Sequence, residues 1–303
     1  MRFVAITLLL AICLVQSPGQ AQTPTKPATT AAPTHRALLV GVSEYPHLRK
    51  DLHLEGPRND VIRMREALVA RRVATENITV LADGVPGAEL PTRERILGEL
   101  DRLARTAKAG DYIVILMAGH GSQQPVPAGS PFAAEEPDGM FEVFLPRDVE
   151  GWGNRASGTE GDIKGAILDH EVRARVDRMT SAGAFVWAIF DSCHSASLVR
   201  GASDVKMRQV TPDELGVPKE VVDRAVARAA AARDRLAASG GSPVRNRSVG
   251  PNEGGSVFFY AAQTTEPTPE MRLPAGAPDR RSHGLFSYTI LQELEGGAGM
   301  TYQ

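Results

Sequence analysis

Cysteine is nearly absent from this chain: its 303 residues hold two, Cys13 and Cys193. Cys13 lies in an N-terminal segment that reads as removable, so the mature chain keeps one thiol and has no internal disulfide to form. A long apolar run is lacking as well. Phe3 to Val15, behind Met1-Arg2, stops at Gln16 and Pro18, short of the roughly 20 residues that a membrane helix needs. It has the build of a signal peptide over residues 1–21, with Gly19-Gln20-Ala21 offering small residues for cleavage. The expectation is export, to the periplasm or outside the cell, with no stable membrane span afterwards. Neither sign of charge dominates, since 34 Lys and Arg against 36 Asp and Glu leave a net −2. That removes the electrostatic case for nucleic acid or an anionic membrane surface. Internal repeats are also missing, which excludes solenoid and propeller architectures.

What is present is an ordinary globular composition, 42% hydrophobic and 23% charged, enough to bury a sizeable core. Residues 22–35, rich in Thr, Pro and Ala without apolar periodicity, read as a disordered linker. From residue 36 the pattern is regular. Ala37 to Val42 reads as a buried strand. Pro57-Arg58-Asn59-Asp60 opens a helix carrying Val61, Met64 and Leu68 on one side. Ile78 to Leu81 reads as a strand, Thr92 to Thr106 as a helix with Ile96, Leu97, Leu100 and Leu103 at helical spacing, and Asp111 to Ala118 as a third strand. This β-α-β-α-β order predicts a largely parallel sheet with right-handed crossovers. A helix with Val172, Val176 and Met179 precedes a strand over Ala184 to Phe190. Residues 200–255 form an insertion: a polar loop from Gly201 to Gly216, an Ala/Arg-rich helix from Pro218 to Ala238 whose charges read as a solvated face, and a second loop. Ser256 to Ala262 is a further strand, and a helix begins near Gly284.

Two strands end in chemistry. The apolar run Ala184 to Phe190 passes directly into Asp191-Ser192-Cys193-His194-Ser195. The run Ile113 to Ala118 passes into Gly119-His120-Gly121-Ser122-Gln123. In open α/β sheets the crevice beyond the carboxyl ends of the strands is the ligand site. Neighbouring strands would therefore present a thiol and an imidazole at one edge, the minimum for acyl transfer through a thiolate. A buried structural cysteine is the commoner fate of a lone thiol, but burial of Asp191 and His194 without partners argues against it. A metal site made of His120, Cys193 and His194 lacks the ligand count and spacing of a closed zinc site.

Ala118-Gly119-His120-Gly121-Ser122-Gln123 and Asp191-Ser192-Cys193-His194-Ser195 resemble, as a pair and in this order, the two signature motifs of metacaspases, in the caspase-like clan of cysteine peptidases. The resemblance implies an α/β fold over residues 36–303, a caspase-like three-layer sandwich with a mostly parallel central sheet and helices on both faces. Against the family pattern, Ala118 replaces a serine, Pro57 stands where many relatives have cysteine and Ala196 where glycine is usual, and no reacting group is lost. Relatives usually run on past Gln303, so the expectation is that a C-terminal portion is missing here.

By resemblance, Cys193 is the nucleophile, His120 protonates the leaving amine, and the backbone N–H groups of Gly121 and Cys193 form the oxyanion hole. His194 competes with His120, but adjacent residues at a strand end point apart. The implied substrates are proteins or peptides with Arg or Lys at the cleaved position, held by Asp60 and Asp191. No cofactor is required for the chemistry. Calcium dependence, common in the family, would rest on Asp148 and Asp169, with His170 replacing a second aspartate. An acidic pocket beside an Arg-rich insertion also predicts self-cleavage, with Arg200, Lys206, Arg208, Arg245 and Arg247 as targets. The rival from another class is a non-catalytic caspase-like binding module.

Overall fold

The protein is described from a computed structural model, in which residues 33–153, 161–193, 205–239, 254–261 and 268–297 are placed. The signal-peptide and linker expectations, apart from residues 33–35, lie outside the described residues. A five-stranded, all-parallel sheet organises the rest: β1 (His35–Gly41), β2 (Ile78–Ala82), β3 (Tyr112–Ala118), β9 (Phe185–Asp191) and β11 (Ser256–Tyr260) in the order β11-β9-β3-β1-β2. Leu38, Leu39, Ile115, Leu116, Ala188 and Ile189 are fully buried, as continuous apolar strands covered on both faces require.

Helices supply both covers. On one face, α1 (Gly56–Ala70) packs Val61, Met64 and Leu68 onto Leu39, Leu116 and Ile189, and α5 (Leu285–Gly296) adds Leu291. On the other face, α2 (Arg93–Thr106) and α3 (Asp169–Ser181) bury Ile96, Leu100, Leu103, Val172 and Val176 against Leu38, Ile113 and Val186. The apolar stripe read in the sequence is the stripe that packs. Polar capping fixes where α2 begins: Thr92 Oγ accepts the Arg95 N–H at 3.4 Å, and the Asp148 carboxylate accepts the Arg93 N–H at 2.8 Å. Close approach sets α1 over β1. A Cβ on Gly41 would lie 2.7 Å from the Pro57 carbonyl oxygen, so the glycine lets the first turn of α1, with Asp60, settle at the carboxyl end of the sheet.

The remaining strands are short and build out from that end. β4 (Gly121–Pro125), β5 (Met140–Phe144) and β8 (Ile167–Leu168) form one antiparallel sheet, and β6 (Trp152–Gly153) pairs with β7 (Asp162–Ile163). β10 (Lys206–Met207), β12 (Pro269–Leu273) and β13 (Arg281–Gly284) form another. Within the insertion, α4 (Lys219–Ala238) is largely exposed, with Ala225 buried against Gly139.

One sequence expectation is corrected here. The stretch from Gly201 to Gly216 reads as a polar loop, yet within its described part Arg208, Val210 and Leu215 are buried. Its acid partners draw Arg208 inward, Val210 and Leu215 join the apolar core, and strand pairing of Lys206 with Glu270 holds the segment there.

Candidate active site

His120 and Cys193 stand just beyond the carboxyl ends of adjacent strands. In the β3–β9 register Ala118 lies opposite Asp191, and the Gly119 N–H donates to the Asp191 carbonyl at 3.3 Å. The loop before α1 holds the imidazole. Tyr45, fully buried, accepts the His120 backbone N–H at its phenol oxygen (2.8 Å), with the two rings 5.0 Å apart. His120 Nε2 lies 2.7 Å from the Leu52 carbonyl oxygen, which assigns the ring proton to Nε2 and leaves Nδ1 a lone-pair acceptor. Among the described residues, Nδ1 is buried and has no hydrogen-bond partner. Burial pushes the imidazole down to about 4, the Leu52 hydrogen bond opposing the shift and the Arg208 charge adding to it. His120 is therefore neutral, in the form a proton acceptor needs.

The chain itself lies across this site. The Arg208 carbonyl oxygen accepts the backbone N–H of Gly121 at 3.1 Å and that of Cys193 at 3.0 Å. Cys193, 1 % exposed, is buried in the presence of this crossing segment. The Arg208 side chain runs into a pocket of acids. Its Nη2 is 2.5 Å from Asp60 and 3.4 Å from Glu270, and its Nη1 is 3.0 Å from Asp191. All four side chains are essentially shut off from solvent. Burial works against the guanidinium charge, but Asp191, Asp60 and Glu270 outweigh it and hold Arg208 protonated above its usual range. Burial raises the Asp191 carboxyl, with the Arg208 charge opposing it.

The acids are held by further contacts from α5, β13 and the start of α1. Asp191 accepts the Ser287 N–H at 2.9 Å; Asp60 accepts the Gly284 N–H at 3.2 Å and lies 2.9 Å from His283 Nδ1; Glu270 accepts the Glu55 N–H at 2.9 Å. Gly284 also makes room, because a Cβ there would overlap the Asp191 carboxylate and the guanidinium.

Of the residues expected from sequence, His120, Gly121, Cys193, Asp60 and Asp191 converge here. Glu270, His283, Tyr45 and the Leu52 carbonyl were not foreseen. The first two come from short strands of mixed polar and apolar residues, the last two from a connection that reads as polar. The two carboxylates expected to share an ion are apart in role: Asp148 caps α2, whereas Asp169 gathers with Glu136 and Glu142, whose ligand oxygens lie within 4.8 Å of one another. Burial and the neighbouring acids, Asp169 first, raise Glu136 to about 8, and among the described residues Asp169 Oδ1 is buried without a hydrogen-bond partner. An oxygen-seeking cation fits this donor set. His170 stacks on Phe132, ring centroids 4.1 Å apart. Lys206 lies exposed with Nζ on the His53 carbonyl, while His194, Ala196, Arg200, Arg245 and Arg247 fall outside the described residues.

The sequence profile of the family described as "Metacaspase, peptidase C14 domain" matches residues 35–201, more than half of the chain. The chain belongs to the metacaspase family. Metacaspase-7 of Arabidopsis thaliana is 32% identical over 170 residues, 56% of this chain and 36% of that protein. Metacaspase-1 of Candida albicans is 31% identical over 169 residues, 54% of this chain and 34% of that protein. The chain thus spans about a third of the length of these curated metacaspases. Among solved structures, protein GSU0716 from Geobacter sulfurreducens is similar with a TM-score of 0.52 and 19% identity, covering 87% of this chain and 83% of that one, a likeness of fold alone. The metacaspase match ends before Arg208, so the segment crossing the site lies beyond it.

Proposed function

We propose that the chain is a cysteine endopeptidase that cuts after Arg or Lys, and that the Arg208–Gln209 bond of its own insertion is a substrate. The observation that carries this is the seating of Arg208: its carbonyl oxygen accepts from Gly121 and Cys193 while its guanidinium occupies the acid pocket. A structural salt bridge has no need of that carbonyl placement. A backbone oxygen between two N–H donors is what acyl-transfer catalysis uses, since developing negative charge there strengthens both bonds.

In this mechanism the Cys193 thiol gives its proton to His120 Nδ1, and the sulfur bonds to the Arg208 carbonyl carbon as its oxygen takes charge between the two amides. The tetrahedral intermediate collapses with the C–N bond to Gln209 breaking, and His120 passes the proton to the departing amine. Water then attacks the thioester, giving up a proton to His120; the C–S bond breaks, His120 returns the proton to the Cys193 sulfur, and the new Arg208 carboxyl group leaves. The Leu52 carbonyl holds the imidazole in the tautomer that leaves Nδ1 without a proton, and Tyr45 anchors the His120 backbone. Arg has the advantage over Lys because the fork engages Asp60 and Glu270 through one nitrogen and Asp191 through the other, whereas an ammonium is a single centre.

Calcium binding is proposed for Glu136, Glu142 and Asp169, where the ion would neutralise crowded carboxylates and fix the β4–β5 connection. Export of the mature protein remains the proposal made from its N-terminal sequence. A chromogenic Arg peptide tests the activity. The wild type is expected to cut it, a thiol alkylator and Cys193→Ala to abolish the cut, and His120→Ala to lower it by about 100-fold or more. Hydrolysis that survives in Cys193→Ala would leave the non-catalytic binding module as the better reading.

A further inference from the structure

The segment that crosses the site is buried unevenly. Lys206 is exposed, Met207 and Gln209 are half-buried, and Arg208 and Val210 are both 0% exposed. Arg208 is accounted for by its acids. Val210 has no charge to neutralise, and it lies two residues past the carbonyl held by Gly121 and Cys193.

Gly121 clamps the segment twice. Its N–H donates to the Arg208 carbonyl at 3.1 Å, its own carbonyl accepts the Val210 N–H at 3.0 Å, and Gly121 and Gln209 form a parallel bridge. One residue therefore sets both the scissile carbonyl and the backbone two positions on. With register fixed in this way, the side chain two residues after the bond always arrives at the same spot. That spot is apolar, because Val210 belongs to the buried cluster that includes Phe144 and Leu145. Both come from the neighbouring antiparallel layer: Phe144 is the register partner of Gly121, and the Leu145 N–H donates to the His120 carbonyl.

We propose that the site reads a second side chain besides the basic one: an apolar pocket takes a branched aliphatic residue two positions after the cut bond. This rests on the peptidase reading above and adds a substrate requirement to it. The residues on either side of Arg208, half-buried at Met207 and Gln209, carry no comparable requirement.

The test uses the wild-type full chain and internally quenched peptides built on Lys-Met-Arg-Gln-Val-Thr, the chain's own order at 206–211. In separate peptides the valine is replaced by Ile, Asp or Gly, and the glutamine by Ala. An Arg aminocoumarin amide, which has no residue after the cut, runs alongside. Val and Ile peptides are expected to be cut with kcat/KM at least roughly tenfold above Asp and Gly, with the glutamine replacement changing it by less than about threefold. Equal rates across the valine series overturn the pocket and leave the peptidase reading standing if the coumarin amide is cut. Cleavage of the amide with none of the peptides overturns it too. If neither amide nor peptide is cut, the peptidase reading fails and the pocket falls with it.

Discussion

His120 shows how one residue's surroundings set its chemistry. Full burial, with the Leu52 carbonyl on Nε2 and, among the described residues, no hydrogen-bond partner on Nδ1, holds the ring neutral with a folded-state pKa of about 4 against an ordinary 6.5. The folded state thus resists a proton that the unfolded chain accepts. Stability from this residue is fully present above about 6.5 and is lost as pH falls towards 4, by about 3 kcal/mol in total. In Cys193→Ala protein, which keeps the crossing segment uncut, unfolding by urea followed at several pH values should show that loss. His120→Asn in the same background should flatten the slope between those limits. An unchanged slope would mean that the imidazole is charged or solvated in the folded chain.

Elements rather than single residues decide how much was legible in advance. The two strand ends stood out because an apolar run that stops on a titratable residue has one sensible place in a parallel sheet. The helices stood out because Ile96, Leu100 and Leu103 repeat at helical spacing. The Lys206–Val210 crossing was named only as one of several basic targets, since nothing in a polar stretch marks it for burial; its burial depends on acids supplied by α1, β9 and β12. Glu270 and His283 were hidden for the same reason, in strands of mixed charged and apolar residues. Motif matching paired Asp148 with Asp169, whereas the fold uses Asp148 to cap α2 and brings Glu136 and Glu142 to Asp169. The two arrangements differ in outcome. Asp148→Asn should keep any calcium response and lower stability by about 1 kcal/mol, while Asp169→Asn or Glu142→Gln should remove calcium binding in titration calorimetry. Loss of binding in Asp148→Asn alone would reverse this assignment.

At the scale of the whole molecule, a sheet with helices on both faces delivers five functional groups to one edge, and the insertion then lays Arg208 across them. The pocket of Asp60, Asp191 and Glu270 is electrostatically complete only with a cation inside, because three buried carboxylates left without one would repel each other and lose their solvation. On the proposed reading, the folded chain holds its own Arg208 where the basic residue of an external substrate would sit, and such a substrate would have to take that place. Time-resolved intact-mass analysis of the purified wild-type chain, beside Cys193→Ala and Arg208→Ala, tests this most directly. The account predicts a cut between Arg208 and Gln209 in the wild type, and none at that bond in either variant. An intact Arg208–Gln209 bond in the wild type under conditions where it cuts an Arg peptide, or the same cut in Cys193→Ala, would contradict it.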